Sequence, residues 1–226
     1  MKNRFMVTLS VLLLTVMSAF ADEKQVVDIF NDLESFTEIK TTEGFVGRIF
    51  LTQGDGHSVI VKGYEEKVKK VTVEVKDGVL VLNLVGVREI KNHDMDKSVA
   101  VYVMMKDIRN IHLKGVVNLT ANERLNLDKL EMNLEGVCNA ACKDVHCDVL
   151  SAKLRGVSNL TACVKCNNAN VSLEGVCNGT LDVKCDKLEA SVRGVGNLTL
   201  KGTAVKAEIK KEGIGHINRK GLKVEN

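Results

Sequence analysis

Six segments of this chain repeat one pattern: Leu113-Lys114-Gly115-Val116-Val117-Asn118, Leu134-Glu135-Gly136-Val137-Cys138-Asn139, Leu154-Arg155-Gly156-Val157-Ser158-Asn159, Leu173-Glu174-Gly175-Val176-Cys177-Asn178, Val192-Arg193-Gly194-Val195-Gly196-Asn197 and Lys211-Glu212-Gly213-Ile214-Gly215-His216. Their glycines stand 21, 20, 19, 19 and 19 residues apart. Helical repeats have longer periods and a 3.6-residue apolar pattern, whereas here apolar residues alternate ahead of each glycine. The unit is therefore a coil of β-strand. The fold class is all-β, a right-handed parallel β-helix (solenoid) with about 20 residues per coil. The N-terminal part is expected to be less regular β.

Each column of the repeat has a physical job in such a stack. The second, fourth and sixth residues before each glycine are mostly aliphatic (Leu134, Met132 and Leu130; Leu154, Ala152 and Leu150), and a period of two points them all inward. The residue just before the glycine runs Lys114, Glu135, Arg155, Glu174, Arg193, Glu212, reversing sign at every coil. Opposite charges in direct register stabilise the stack and like charges oppose a slip. Three residues past the glycine stand Asn118, Asn139, Asn159, Asn178 and Asn197, with His216 ending the series. An Asn can donate its amide to the carbonyl of the Asn in the next coil, which predicts a structural ladder satisfying buried turns. The glycine itself suits a bend where φ is positive or a side chain would clash.

Upstream, the runs 46–51, 58–61, 71–75 and 79–82 read as strands. Gly54-Asp55-Gly56 and Lys76-Asp77-Gly78 are turn signals between them. Tyr64 to Lys70 could form a single helical turn, and Glu89 to Lys97 reads as a polar loop. No linker composition separates this region from the repeats, so residues 36–226 are read as one β-helical domain: an irregular β half at 36–109 and regular coils at 110–226. Residues 22–35 are an N-terminal extension.

The first 21 residues read as a secretory signal peptide: Lys2 and Arg4, an apolar run from Phe5 to Val16, then Ala19-Phe20-Ala21 before Asp22. Cleavage is expected after Ala21. The run is too short to span a bilayer, which takes about 20 apolar residues, and no transmembrane segment is expected in the mature chain. The expected location is exported: periplasm, outer surface or secreted. Thirty-two basic and 29 acidic side chains leave a formal charge of +3, which gives no electrostatic case for nucleic acid. Aromatics, at 4%, are too few for a platform that stacks sugars or bases.

All seven cysteines fall between residues 138 and 185. Cys147, Cys166 and Cys185 share a column nine residues before the repeat glycine, where other coils offer Leu127 and Ala204, so the column is read as interior. Neighbouring coils bring Cα atoms within disulfide range, and the odd count leaves at least one thiol free. Cys163 and Cys166 form a C-x-x-C, and Cys142 with His146 and Cys147 is the nearest approach to a metal set. No closed four-ligand group follows from the spacing, and no metal is assigned. Asp128, Asp148, Asn167 and Asp186 form another column, read first as caps on a turn. The alternative is a carboxylate row of a Ca²⁺-dependent polysaccharide lyase, which needs a clustered groove and a partnering base. His57, His93, His112, His146 and His216 are scattered and pair with no nucleophile motif. No catalytic residue and no cofactor is assigned.

Phe36-Thr37-Glu38-Ile39-Lys40, the segment Ile49 to Asp55, Lys76 to Leu80 and the recurring Leu-x-Gly-Val-x-Asn resemble the putative autotransporter adhesin head GIN domain family over about residues 30 to 225. Val stands after the repeat glycine where relatives often carry Ala, and the cysteine-rich middle coils are a second departure. The resemblance implies an exported Bacteroidetes-type β-helical domain of unestablished function. With no room for an outer-membrane barrel beyond Asn226, the chain is not expected to be an autotransporter by itself. The expected function is a non-catalytic cell-envelope or surface domain offering a rigid β-face to a protein or glycan. The alternative, by fold analogy alone, is a carbohydrate-active β-helix enzyme, polysaccharide lyase or hydrolase-like.

Overall fold

A computed structural model of the chain describes residues 24–31, 33–85 and 98–225. The expected leader and the polar loop Glu89 to Lys97 lie outside the described residues.

The described residues are all-β apart from one helical turn. In order, the elements are β1 (Gln25–Phe30), β2 (Glu38–Thr41), β3 (Val46–Gln53), β4 (Ser58–Tyr64), α1 (Glu65–Val68), β5 (Val71–Lys76), β6 (Val79–Leu84), β7 (Val99–Met105), β8 (Asn110–Gly213) and β9 (His216–Val224). Strand β8 is 104 residues long. Fully straight it would span about 340 Å at ~3.3 Å per residue, yet residues 19 to 21 apart hydrogen-bond side chain to side chain along its length. It therefore winds into stacked coils. Strand β9 continues the winding, parallel to β8, with Asn197 opposite His216 and Ala204 opposite Val224.

The alternation read from the sequence is the burial pattern of the coils. Leu130, Met132, Leu134, Leu150, Ala152, Leu154, Ala169, Val171, Leu173, Leu188, Ala190 and Val192 are all buried, and each belongs to one continuous core. A buried Leu or Val contributes about 1.5–3 kcal/mol relative to an exposed one, so a coil with three such positions has its inward face specified several times over. The repeat glycine turns the chain at a close coil-to-coil approach. At Gly136, φ is +109°, and a Cβ would stand 2.7 Å from the carbonyl oxygen of Gly115 in the coil before. No other residue type fits both conditions.

The N-terminal half mixes parallel and antiparallel pairings. The sheet order is β1-β4-β7-β3-β8-β2-β6-β5, with β9 also on β8, and the sheet is mixed. Strands β2 and β3 lie parallel on the start of β8, with Ile39 opposite Ile111 and Arg48 opposite Asn118. They act as one further coil that lacks the repeat signature. Strands β6 and β7 form the next layer, parallel to β2 and β3. Three antiparallel pairings complete the sheet: β5 on β6, β4 on β7, and β1 on β4. An antiparallel strand presents a different hydrogen-bonding edge from a parallel one, so these pairs end the run of parallel pairings made by β2, β3, β6, β7 and β8.

Local chemistry explains the turns. Asp77 (φ +52°) and Gly78 (φ +76°) join β5 to β6 with Lys76 opposite Val79, a two-residue hairpin loop with both φ positive. The expected helical turn is α1, with Lys69 bridging to Glu65 at 2.7 Å. Across β3 and β7, Phe50 stacks on Tyr102 at 4.8 Å. No helix among the described residues is long and apolar enough to cross a membrane.

Candidate functional site

Two features run lengthwise along the stack. One is an outer face built by the repeat itself. The charge ladder forms as read: Lys114 Nζ lies 3.1 Å from Glu135, Arg155 bridges Glu135 at 3.5 Å and Glu174 at 3.1 Å, and Arg193 meets Glu212 at 2.9 Å. The ammonium of Lys114 and the guanidinium of Arg155 hold the carboxyls of Glu135 and Glu174 below the ordinary range. The Asn ladder also forms. Asn139, Asn159 and Asn178 each donate an Nδ2–H to the Oδ1 of the preceding Asn, at 2.8, 2.7 and 3.0 Å. It faces solvent, however, rather than satisfying buried turns, because alternation resumes after the bend: the residue two past the glycine is buried and the Asn that follows it points outward.

Between these two ladders lies a row that sequence reasoning missed. In five of the six repeats the residue directly after the glycine is apolar and exposed: Val137 46%, Val157 50%, Val176 53%, Val195 53% and Ile214 87%, whereas Val116, opposite Val46 of β3, is half-buried. The signal was present as the recurrent Val or Ile, yet alternation alone did not say on which side of the bend it falls. The next column turns inward. Cys138 and Cys177 give their thiols to the carbonyls of Glu135 and Glu174, and Ser158 its hydroxyl to that of Arg155 at 2.9 Å. These side chains close the bend from inside, which accounts for two of the seven cysteines.

The second feature is an open groove of about 810 Å³ at a corner of the coils. Its floor is the column Leu127, Cys147, Cys166, Cys185 and Ala204. One wall carries Asp128, Asp148, Asn167 and Asp186, and the other His146, Lys165 and Lys184. The carboxylate column was expected to cap its own turn. The bond observed runs between coils instead, Asn167 Nδ2 to Asp148 Oδ1 at 3.2 Å. Direct stacking puts the next coil's side chain within reach.

The floor cysteines are half-buried to buried, as an interior column at a corner should be. Cys166 stands between Cys147 and Cys185 in the column, and the titration of its thiol is shifted by both neighbours. The neighbouring Cys166 holds the Cys147 thiol below the ordinary range, while Cys166 itself is pushed up to about 12 by Cys147. Cys185 is also raised by Cys166 and by burial. All seven cysteines are free thiols in this structure.

The other candidate sets are not assembled. Cys142 is buried inside the stack, its thiol pushed up to about 12 by burial, while His146 turns to Asp144 at 3.0 Å and Cys147 to the groove. Cys163 points outward and Cys166 inward, since residues three apart on a strand face opposite sides. Among the described residues no group of three or more His, Cys, Asp or Glu is placed to hold a metal ion. His57 packs edge-on against Phe36, His112 lies 3.6 Å from Glu135, and His216 pairs with Asn197 at the end of the Asn series. His93 lies outside the described residues.

The architecture recurs in solved structures. The chain is similar to a putative adhesin from Bacteroides fragilis, with a TM-score of 0.71 at 23% identity, covering 87% of this chain and 97% of that one. A putative adhesin from Parabacteroides merdae aligns with a TM-score of 0.57 at 16% identity, over 87% and 96% of the two chains. A protein from Parabacteroides distasonis described as a putative lipid binding protein aligns with a TM-score of 0.55, again at 16% identity, over 87% and 97%. At these identities the likeness shows the fold alone. No curated protein sequence matches. Residues 35–180, more than half of the chain, match the family described as "putative auto-transporter adhesin, head GIN domain", and the chain belongs to that family.

Proposed function

We propose that this protein is a non-catalytic, exported cell-envelope or surface domain, built as a right-handed parallel β-helix, whose outer ladder face binds a partner. The parallel reading of the coils is supported by contacts at 19 to 21 residues and by the parallel β8–β9 pairing. The right hand follows from the general preference of parallel crossovers. Names given to family members and structural relatives as adhesins agree with an exported location and a binding role.

The observation that carries the binding proposal is the exposed row Val137, Val157, Val176, Val195 and Ile214. A β-branched side chain left in water at the same place in five successive coils costs hydration without stabilising the stack. Flanked by the charge and Asn ladders, the row has the apolar centre and polar rim of a protein-binding surface. Few aromatics are available to stack on sugar rings, so a protein partner is favoured over a glycan. The test is a binding screen of the mature chain against envelope and surface proteins and a glycan array, repeated with the Val157→Lys, Val176→Lys double variant. Specific binding that the variant loses supports the proposal, and equal binding by the variant removes this face from it.

The groove favours a second reading. Asp148 and Asp186 both line it, two coils apart, with their backbones about 9.6 Å apart at ~4.8 Å per coil. Lys165 and Lys184 face them across the floor. Depolymerisation of an anionic polysaccharide that Asp148→Ala or Asp186→Ala abolishes would establish this reading and overturn the non-catalytic one.

A further inference from the structure

We infer that the row Cys147, Cys166, Cys185 is a redox-modification site that accepts one disulfide, between Cys166 and either neighbour, from a small-molecule disulfide reaching it through the groove. Three observations converge on it. The three thiols occupy one column of successive coils, 19 residues apart. Their Cα atoms are therefore separated by about 4.8 Å, inside the 4.4–6.8 Å range of disulfides. The middle thiol has one of the others on either side and its titration is shifted by both. The row forms the floor of an open groove, so a reagent can approach it.

Packing does not explain three cysteines in a row. The same column takes Leu127 below and Ala204 above, so an aliphatic side chain of either size is accepted there. The other four cysteines lack this arrangement: Cys138 and Cys177 bond to backbone carbonyls, Cys142 is buried away from the groove, and Cys163 is exposed alone on the opposite face of its strand.

The chemistry is ordinary thiol–disulfide exchange. The Cys147 thiolate attacks one sulfur of R–S–S–R, forming Cys147–S–S–R and releasing R–S⁻, which takes up the proton Cys147 has lost. Cys166, on losing its own proton, attacks the Cys147 sulfur and expels the second R–S⁻, which is then protonated. The chain loses two protons and two electrons, and R–S–S–R, gaining both, becomes two R–SH. The third thiol can then move the bond along the row. Cys185 attacks the Cys166 sulfur, a Cys166–Cys185 disulfide forms, and Cys147 leaves and takes the proton. Cys147 and Cys185 stand about 9.6 Å apart, two coils at ~4.8 Å, too far to pair directly. Side chains on directly stacked strands keep their Cβ atoms near ~4.8 Å, wider than the ~3.8 Å mean of disulfides, so the bond is held open to reduction.

The test uses the full chain, fully reduced, desalted and incubated with excess oxidised glutathione. Intact mass separates an internal disulfide from a glutathione adduct, and peptide mapping then locates the bond. The expected result is loss of two of the seven thiols to a bond joining Cys166 to Cys147 or Cys185, reversed by mild reductant. Cys166→Ala should form no disulfide, and its circular dichroism and melting should stay near wild type, because Ala204 shows that the column accepts Ala. Seven remaining thiols, adducts at Cys163 alone, a bond mapped outside the row, or an internal disulfide that persists in Cys166→Ala would each overturn the inference.

Discussion

Asn139 donates its side-chain amide to the side-chain carbonyl of Asn118, 21 residues earlier in the chain, at 2.8 Å. Asn159 and Asn178 repeat the contact one coil at a time. Each middle Asn is donor to one neighbour and acceptor from the other, so it ties two coil interfaces at once. Asn159→Ala should therefore lower stability by about 1–2 kcal/mol, two exposed hydrogen bonds at the lower end of their usual net worth. A shift in the urea midpoint measures it, and a midpoint unchanged from wild type would mean the ladder contributes nothing.

Gly78 and Gly156 share a φ of +76° and differ in their surroundings. A Cβ on Gly78 meets nothing within 4 Å, whereas one on Gly156 would stand 2.6 Å from the Gly136 carbonyl oxygen. Gly78→Ala should cost about 1 kcal/mol, the backbone term alone. Gly156→Ala adds a backbone clash that the stack can relieve only by parting two coils, and should cost about 3 kcal/mol or more. Equal costs for the two variants would show that conformation, not coil contact, selects the glycine column.

Arg155 bridges the carboxylates of Glu135 and Glu174 from the coil between them. Arg155→Glu places three negative charges in register and should destabilise by about 1 kcal/mol, a modest effect because the groups are part-exposed. Raising salt to about 1 M, where the Debye length is ~3 Å, should remove most of the difference. A penalty independent of salt would point to lost packing of the arginine stem instead.

Stability should also fall in acid for a traceable reason. Lys114 and Arg155 lower the folded-state pKa of Glu135 and Glu174 from the ordinary 4.5. A lowered carboxyl pKa contributes stability that is fully present above the unfolded value. That contribution fades as pH drops below about 4.5 and is gone once pH has passed the lowered folded values. Melting temperature against pH should bend downward in that window. Glu135→Gln and Glu174→Gln together should flatten the bend, and an unaltered profile would assign the acid loss to other carboxylates.

Leu154 is buried and Val157, three residues on, is half exposed. Leu154→Ala should cost about 2–5 kcal/mol through the cavity it leaves. Val157→Ala should stay within about 0.5 kcal/mol. Denaturant titration distinguishes them, and a large cost at Val157 would move that row from a binding role to a structural one.

Period, columns and inward faces were legible because they are local: alternation and a 19 to 21-residue repeat say which side chains share a face and which share a column. The same information located the charge ladder, the Asn ladder, the glycine bend and the Asp77–Gly78 hairpin. The additional coil made by β2 and β3 was not legible. Its neighbour in space on the far side, β6 and β7, comes later in the chain, with β4, α1 and β5 interposed. No fixed period links Arg48 to Asn118 or Phe50 to Tyr102, so no self-similarity marked them.

By itself, then, the sequence determined that the chain is all-β, that its C-terminal half winds in coils of about twenty residues, and which residues line the core. Tertiary structure alone decided which way each column faces beyond the bend. It turned the Val row and the Asn ladder out to solvent, and opened a groove over Cys147, Cys166 and Cys185. It also set the antiparallel pairs β1–β4, β4–β7 and β5–β6 at the end of the stack. The physical reason is that alternation is a property of one strand, satisfied equally beside a parallel or an antiparallel neighbour. Choice of neighbour and depth of a corner are set by contacts between residues far apart in the chain.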